Sequence, residues 1–223
     1  MSRAGALSRG AVVEAAAAVA DRAGLGGVSM RAVGKELGVE AMSLYHHVGS
    51  KSELLDLLAS WVFGQVALTD ASLPWREAMV ARAVSQREVL SAHPWALGFL
   101  ESRRSPGEEP LRHHDAALGC LRGQGFPVPL AMNAISALDA YVFGFVLSET
   151  SLPFEDPQDA ESMISGLSVD PERYPHLTEL MSHLTRGVGF DYGDEFSVGL
   201  DLVLDGLELR LAGDGAHTGE HRG

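Results

Sequence analysis

The run GVEAMSLYHHVGSKSELL, residues 38–55, gathers hydroxyls, a tyrosine, two adjacent histidines and a lysine in a chain whose formal charge is −13. Three chemistries suit such side chains: metal ligation, proton or acyl transfer, and hydrogen bonding to phosphates and base edges. Spacing disfavours the first, because adjacent helical residues point roughly 100° apart. Neither His46–His47 nor His113–His114 can close easily on one tetrahedral ion, so neither metal nor cofactor is expected. Catalysis would need convergent acids, bases or a cofactor loop. The chain has no phosphate loop, no Ser-His-Asp context and no His-Glu-x-x-His, and Glu108 and Glu109 fall in a turn. The one cysteine, Cys120, lies in an apolar periodic stretch and reads as a small core residue. Hydrogen bonding to a partner is the chemistry that remains.

Such tips must be held outward by a scaffold. Val12, Ala16, Val19 and Ala23 recur at steps of three and four behind Ser8, which suits an N-cap, and the pattern stops at Gly24. Ser29 caps a second predicted helix over Met30–Leu37, with Gly38 as a left-handed stop. Two residues later a third helix is predicted over 41–47, and Ser50-Lys51-Ser52-Glu53 spells a capping box for a fourth beginning at Lys51. Two short helices joined by a tight glycine-containing turn behind a longer one are the ingredients of a helix-turn-helix. Its second helix enters the major groove, so one face must pack while the other meets bases and phosphates. Leu44 and Val48 make the packed side here. Ala41, Met42, Ser43, Tyr45, His46 and His47 are left outside, an unusual exposure unless something covers them.

With 223 residues, 46% of them hydrophobic, the chain can bury a sizeable core. No run of eighteen apolar residues appears and residues 1–10 lack an apolar block, so no membrane span or signal peptide is expected and the cytoplasm is the expected compartment. Acids and bases balance over residues 1–60, which places the whole −13 downstream. An acidic body cannot coat nucleic acid, yet the first 60 residues can present a neutral to positive face locally. Helical periods fill the remainder, broken near 70–74, 103–110, 125–129 and 153–175. The stretch AMNAISALDAYVFGFVL, residues 131–147, is apolar almost all round and must have more than one partner. Phe196, Leu200, Val203, Leu204, Leu207 and Leu211 mark another helix, with Gly199 and Gly206 on a neighbouring line. Burial inside one subunit and burial between two subunits both fit these two helices. A two-fold dimer would double the contacts of a single helix-turn-helix. The end, residues 212–223, has no apolar pattern and is expected to be disordered.

The stretch LSRGAVVEAAAAVADRAGLGGVSMRAVGKELGVEAMSLYHHVGSKSELLDLL, residues 7–58, resembles the N-terminal DNA-binding domain of the tetracycline-repressor (TetR) family of bacterial transcription regulators. The likeness includes Ser-Met-Arg at the start of the second helix, the Leu-Gly-Val turn, Ser-Leu-Tyr in the third and a lysine opening the fourth. It implies that Arg31 reaches a base at the half-site edge, that Ala41, Met42 and Ser43 lie over bases, and that Ser29, Tyr45, His47 and Lys51 hold the backbone. Glu40 opens the recognition helix, and Met30 and His46 complete the DNA-facing set. Ala41 and Met42 stand where the tetracycline repressor has glutamine and proline, so its operator cannot be carried over. RGQGFPVPLAMNAISALDAYVFGFVLSE and DEFSVGLDLVLDGLELRL resemble the C-terminal helices that build this family's dimeric four-helix bundle.

The implied fold is all-α. A three-helix helix-turn-helix domain over 1–50 is followed, through a fourth helix from 51, by a helical ligand-binding and dimerisation domain over 51–211. The implied function is a ligand-responsive repressor that binds a palindromic DNA operator as a homodimer and is released by a small-molecule inducer. The alternative is a helical carrier or an all-α enzyme without specific DNA binding. The dimer set would be Ala134, Leu138, Tyr141, Val142, Phe145, Phe196, Leu200, Val203 and Leu207. The inducer cavity would draw on Trp95, Phe99, His113, Met132, Ile135, Ser136 and Asp139. A carboxylate such as Asp139 on so apolar a helix must be paired, either with a cationic ligand or with an arginine such as Arg82 or Arg87. Gly98-Phe99-Leu100-Glu101 lacks the histidine with which the tetracycline repressor holds its chelated drug, so tetracycline is not the expected ligand.

Overall fold

Three serines set the N-terminal architecture. In the computed structural model, which describes residues 7–97, 107–153, 162–163, 166–167, 169–186 and 192–219, Ser8 Oγ accepts from Ala11 N at 3.2 Å, Ser29 Oγ from Ala32 N at 3.2 Å and Ser50 Oγ from Glu53 N at 3.1 Å. Each cap is worth about 1 kcal/mol. They open α1 (Arg9–Gly27), α2 (Met30–Leu37) and α4 (Lys51–Phe63). The capping box closes one residue earlier than its usual form, with Glu53 Oε2 accepting from Gly49 N at 2.8 Å. Gly24 kinks α1 at φ 66° instead of ending it, and Gly38 makes the expected left-handed stop at φ 69°.

The third helix differs from its expected span. α3 covers only Ala41–Leu44, and the chain then tightens into a turn in which Tyr45 N donates to Met42 O and His47 N to Leu44 O. Shorter i→i+3 bonds of this kind satisfy the end of a helix without lengthening it. Gly34 makes the crossing of α2 and α3 possible: a Cβ there would lie 2.8 Å from Val39 O and 3.2 Å from Ala41 N.

The body comprises α5 (Trp75–Ala92), a 3-10 turn over Pro94–Ala96, α6 (Glu108–Gly123), α7 (Val128–Thr150), α8 (Pro175–Arg186), a 3-10 turn over Tyr192–Asp194 and α9 (Glu195–Gly219). Among the described residues there is no strand. α7 is the central post, packed on α5, α6 and α9. It is also long and apolar enough, by length and composition, to cross a membrane, which the count of uninterrupted apolar residues missed. In the fold one side of it, with Ala134, Ile135, Leu138, Val142 and Val146, goes into the core, and its one charged residue in mid-helix, Asp139, is paired with Arg82 at 2.8 Å.

Two apolar clusters form, one around Val12, Ala16, Val33, Leu44 and Leu58, the other around Met79, Leu121, Ile135, Leu138 and Leu204. α4 belongs to both: Leu54 and Leu58 enter the first, Val62 the second, and Trp61 touches each. The α9 helix runs on to Gly219, past Ala212 where the apolar pattern ends. Extending an existing helix adds one hydrogen bond per residue without a new nucleus, so a weak pattern can still continue. Residues 220–223 lie outside the described residues.

Candidate DNA-reading face and ligand cavity

Around α3 the packed and open sides separate cleanly. Leu44 and Val48 are buried against α1, α2 and α4, as the spacing predicted. Met42 is 73% exposed and Tyr45 44%, with Glu40 and His46 also open and Ser43, Ala41 and His47 half-buried. Met30 is corrected: it is 8% exposed and belongs to the core, because the first residue after the cap faces inward toward α1. Ser29 spends its hydroxyl oxygen on the cap of α2.

Charge is sorted as well. Arg9 pairs with Glu53 and Arg22 with Glu36, so these two cations are neutralised within the domain. Among the described residues, Arg31, Lys35 and Lys51 form no ion pair. They stand on α2 and at the start of α4, on either side of α3 in the chain. Exposed apolar and aromatic tips on α3 and unpaired cations on the helices before and after it are the residue types that meet bases and phosphates, respectively.

Behind this domain, a cavity of about 300 Å³ lies between α4, α5, α6 and α7. Phe63, Phe143, Pro110 and Leu111 supply apolar walls, and Arg82, Gln86, His113, His114 and Asp139 the polar ones. Arg82, only 5% exposed, donates to Asp139 at 2.8 Å, and Gln86 links the two at 3.1 and 3.2 Å. Of the two partners open to Asp139, the arginine is the one present. Burial, together with the positive charges of Arg112 and Arg82, pulls the His113 imidazole below its ordinary pKa against the opposing pull of Glu109. His113 is therefore neutral near neutrality.

Other sequence-derived cavity residues lie elsewhere. Met132 is 56% exposed and Ser136 open, both on the outer side of α7, and Ile135 is core. A helical period groups residues on one line but does not say where along that line a neighbour lies, and α5 covers the line only near Asp139. Trp95 sits between the two lobes, its Nε1 donating to Asp21 Oδ1 at 2.6 Å, and His93 Nδ1 meets the same oxygen at 2.8 Å. Phe99 and its neighbours lie outside the described residues. The sequence missed Phe63, Gln86, Leu111 and Phe143; the only signal was Arg82, already a candidate partner of Asp139.

The dimer set is corrected too. Ala134, Leu138, Val142, Phe145, Phe196, Leu200 and Leu207 are buried within their own chain, Val203 is half-buried, and Tyr141 donates its hydroxyl to Phe196 O at 2.8 Å. The open apolar stripes run along Met132 and Leu147 of α7 and Val198, Leu202 and Leu209 of α9. Burial pushes the Cys120 thiol up, as a core cysteine requires. Among the described residues no group of three or more His, Cys, Asp or Glu could hold a metal ion.

A helix-turn-helix with a cavity-bearing helical body defines a ligand-responsive DNA-binding regulator. Residues 12–58 match the profile of bacterial regulatory proteins of the tetR family, and residues 68–211 that of the tetracyclin repressor-like C-terminal domain. The chain belongs to the TetR family of bacterial regulatory proteins, which are transcription regulators and not enzymes. It is 35% identical over 214 residues to the HTH-type transcriptional repressor DrrR1 of Streptomyces coeruleorubidus, covering 90% of this chain and 77% of that one. It is 26% identical to the class D tetracycline repressor of Escherichia coli over 92% of this chain and 91% of that one. Among solved structures, apo ActR of Streptomyces coelicolor superposes with a TM-score of 0.75 at 26% identity, covering 96% and 99% of the two chains. ActR with actinorhodin bound gives 0.73 at 25%, over 93% and 99%.

Proposed function

We propose that the protein acts in the cytoplasm as a homodimeric repressor that grips a palindromic operator and lets go when a small molecule enters the α4–α7 cavity. α4 carries the reading. Its first residue, Lys51, stands at the DNA-facing end, and its last, Phe63, lines the cavity, so one helix belongs to both sites. Arg31, Lys51, Tyr45 and His47 serve the backbone, and Ala41, Met42 and Ser43 face base edges, with Met42 offering only apolar contact. A relative solved with actinorhodin bound supports a small-molecule effector.

The exposed apolar side chains of α7 and α9 make the dimer face, since apolar surface left open on a lone chain marks association sites. Pairing there sets two α3 segments for half-sites about 34–36 Å apart. A ligand that favours the dimer with misplaced α3 segments weakens DNA binding by the factor by which DNA weakens ligand binding, typically about 5- to 150-fold. The test is an electrophoretic shift with DNA from upstream of the protein's own gene, with and without cell extract. A specific, salt-sensitive band that the extract dissolves is expected. Binding that ignores sequence and salt would leave only a carrier.

A further inference from the structure

Met42 is the most open side chain of α3: it is 73% exposed, beside a fully buried Leu44 and half-buried Ala41 and Ser43. Its base is rigid. Leu44 and Val48 pin the rear of the segment in the core, and α2 crosses so close that a Cβ at Gly34 would stand 3.3 Å from Ala41 Cα. A fixed backbone thus holds a long apolar side chain out in water, where any apolar group that covers it gains by the contact. In a helix-turn-helix the first residues of the second helix are the ones that reach base edges in the major groove.

We infer that Met42 reads the 5-methyl group of a thymine, so that each operator half-site holds one T·A pair specified by apolar contact. The inference rests on the repressor reading above and names the base that its reading helix takes. Major-groove edges of guanine, adenine and cytosine present only hydrogen-bonding groups, whereas thymine adds a methyl to its one acceptor. Methionine has no donor and only a weakly accepting sulfur. Laid over guanine, adenine or cytosine, it would strip water from polar atoms and replace none of their hydrogen bonds. Laid over thymine, it buries one apolar group against another. The unbranched thioether has the freedom to settle on a methyl whose position varies by a few tenths of an ångström. Neighbouring side chains do not override this choice. Ala41 offers a methyl alone, the Ser43 hydroxyl bonds donors and acceptors alike, and Glu40, exposed and making no cap hydrogen bond, can only accept.

The test selects an operator from random DNA with the full chain, then replaces its thymines by deoxyuridine, which loses the methyl and keeps the pairing. Each replacement is made symmetrically in the two half-sites and singly, on both strands. At one position per half-site the wild type should lose about fourfold in affinity for a single replacement and about fifteenfold for the pair, the equivalent of one and two buried methyls. Met42→Ala should bind the thymine and deoxyuridine forms at that position within about 1.5-fold of each other, and any effect of deoxyuridine on DNA stiffness cancels in the comparison of the two proteins. Met42 lies on the surface, so the variant should melt within a degree or two of the wild type. A wild type indifferent to every thymine methyl, or a Met42→Ala variant that keeps the full loss at the sensitive position, would overturn the inference and leave the repressor reading standing. A chain that selects no sequence at all would overturn both.

Discussion

At the scale of single residues, His113 carries the plainest test. Its pKa is depressed from 6.5, chiefly by burial and by Arg112 and Arg82, with Glu109 opposing. Above that value the imidazole is neutral both folded and unfolded, and it contributes no pH dependence. Below it the unfolded chain takes up a proton that the folded one resists, so stability falls as pH falls. The melting temperature of the wild type should therefore drop more between about pH 7 and pH 5 than that of His113→Leu; parallel curves would refute the assignment. On the DNA face, Lys51→Ala should weaken binding to all operators alike and reduce the log–log salt slope by about one, measured by titration at several salt concentrations. Met42→Gln adds a side chain able to bond adenine at two points. It should change which sequences are selected from random DNA, leaving the salt slope unaltered.

At the scale of elements, Gly34 decides where α3 lies. Gly34→Ala would press a methyl onto the Val39 carbonyl and the start of α3, with a cost of about 1–3 kcal/mol from overpacking. The expected result is a lower melting temperature together with specific DNA affinity lost beyond what the melting shift accounts for; unchanged operator binding would show that α3 is not set by this contact. Much of this half was legible because its determinants are local. Three serine caps, the left-handed Gly38 and the inward pair Leu44 and Val48 all follow from residues a few positions apart. What escaped was non-local. Periodicity marks an apolar line on α7 and α9 without naming its neighbour, and the family resemblance, which implies a dimer through these helices, does not say which of their faces the partner covers. The cavity likewise depends on α5, whose Gln86 meets Asp139 from 53 positions away.

At the scale of the whole molecule, association and response can be separated. Leu202→Glu with Leu209→Glu puts charge on side chains that are 71% and 75% exposed in the single chain. Sedimentation should show a monomer that still melts cooperatively, with operator affinity reduced by orders of magnitude; a persisting dimer would place the interface elsewhere. Asp21, bonded to both His93 and Trp95, ties α1 to the body. α4 adds a mechanical consequence. Thirteen residues of helix make a rod about 20 Å long. It is anchored near its middle by Leu54 and Leu58, and a residue with a side chain at Gly107 would collide with Ser60 near its far end. As a rigid rod pivoting at Leu54 and Leu58, α4 would carry an ångström of displacement at Phe63 to one of similar size at Lys51. In the proposed homodimer, whose two heads share one duplex, so small a throw would suffice to disengage both without melting anything, since hydrogen bonds weaken over a few tenths of an ångström.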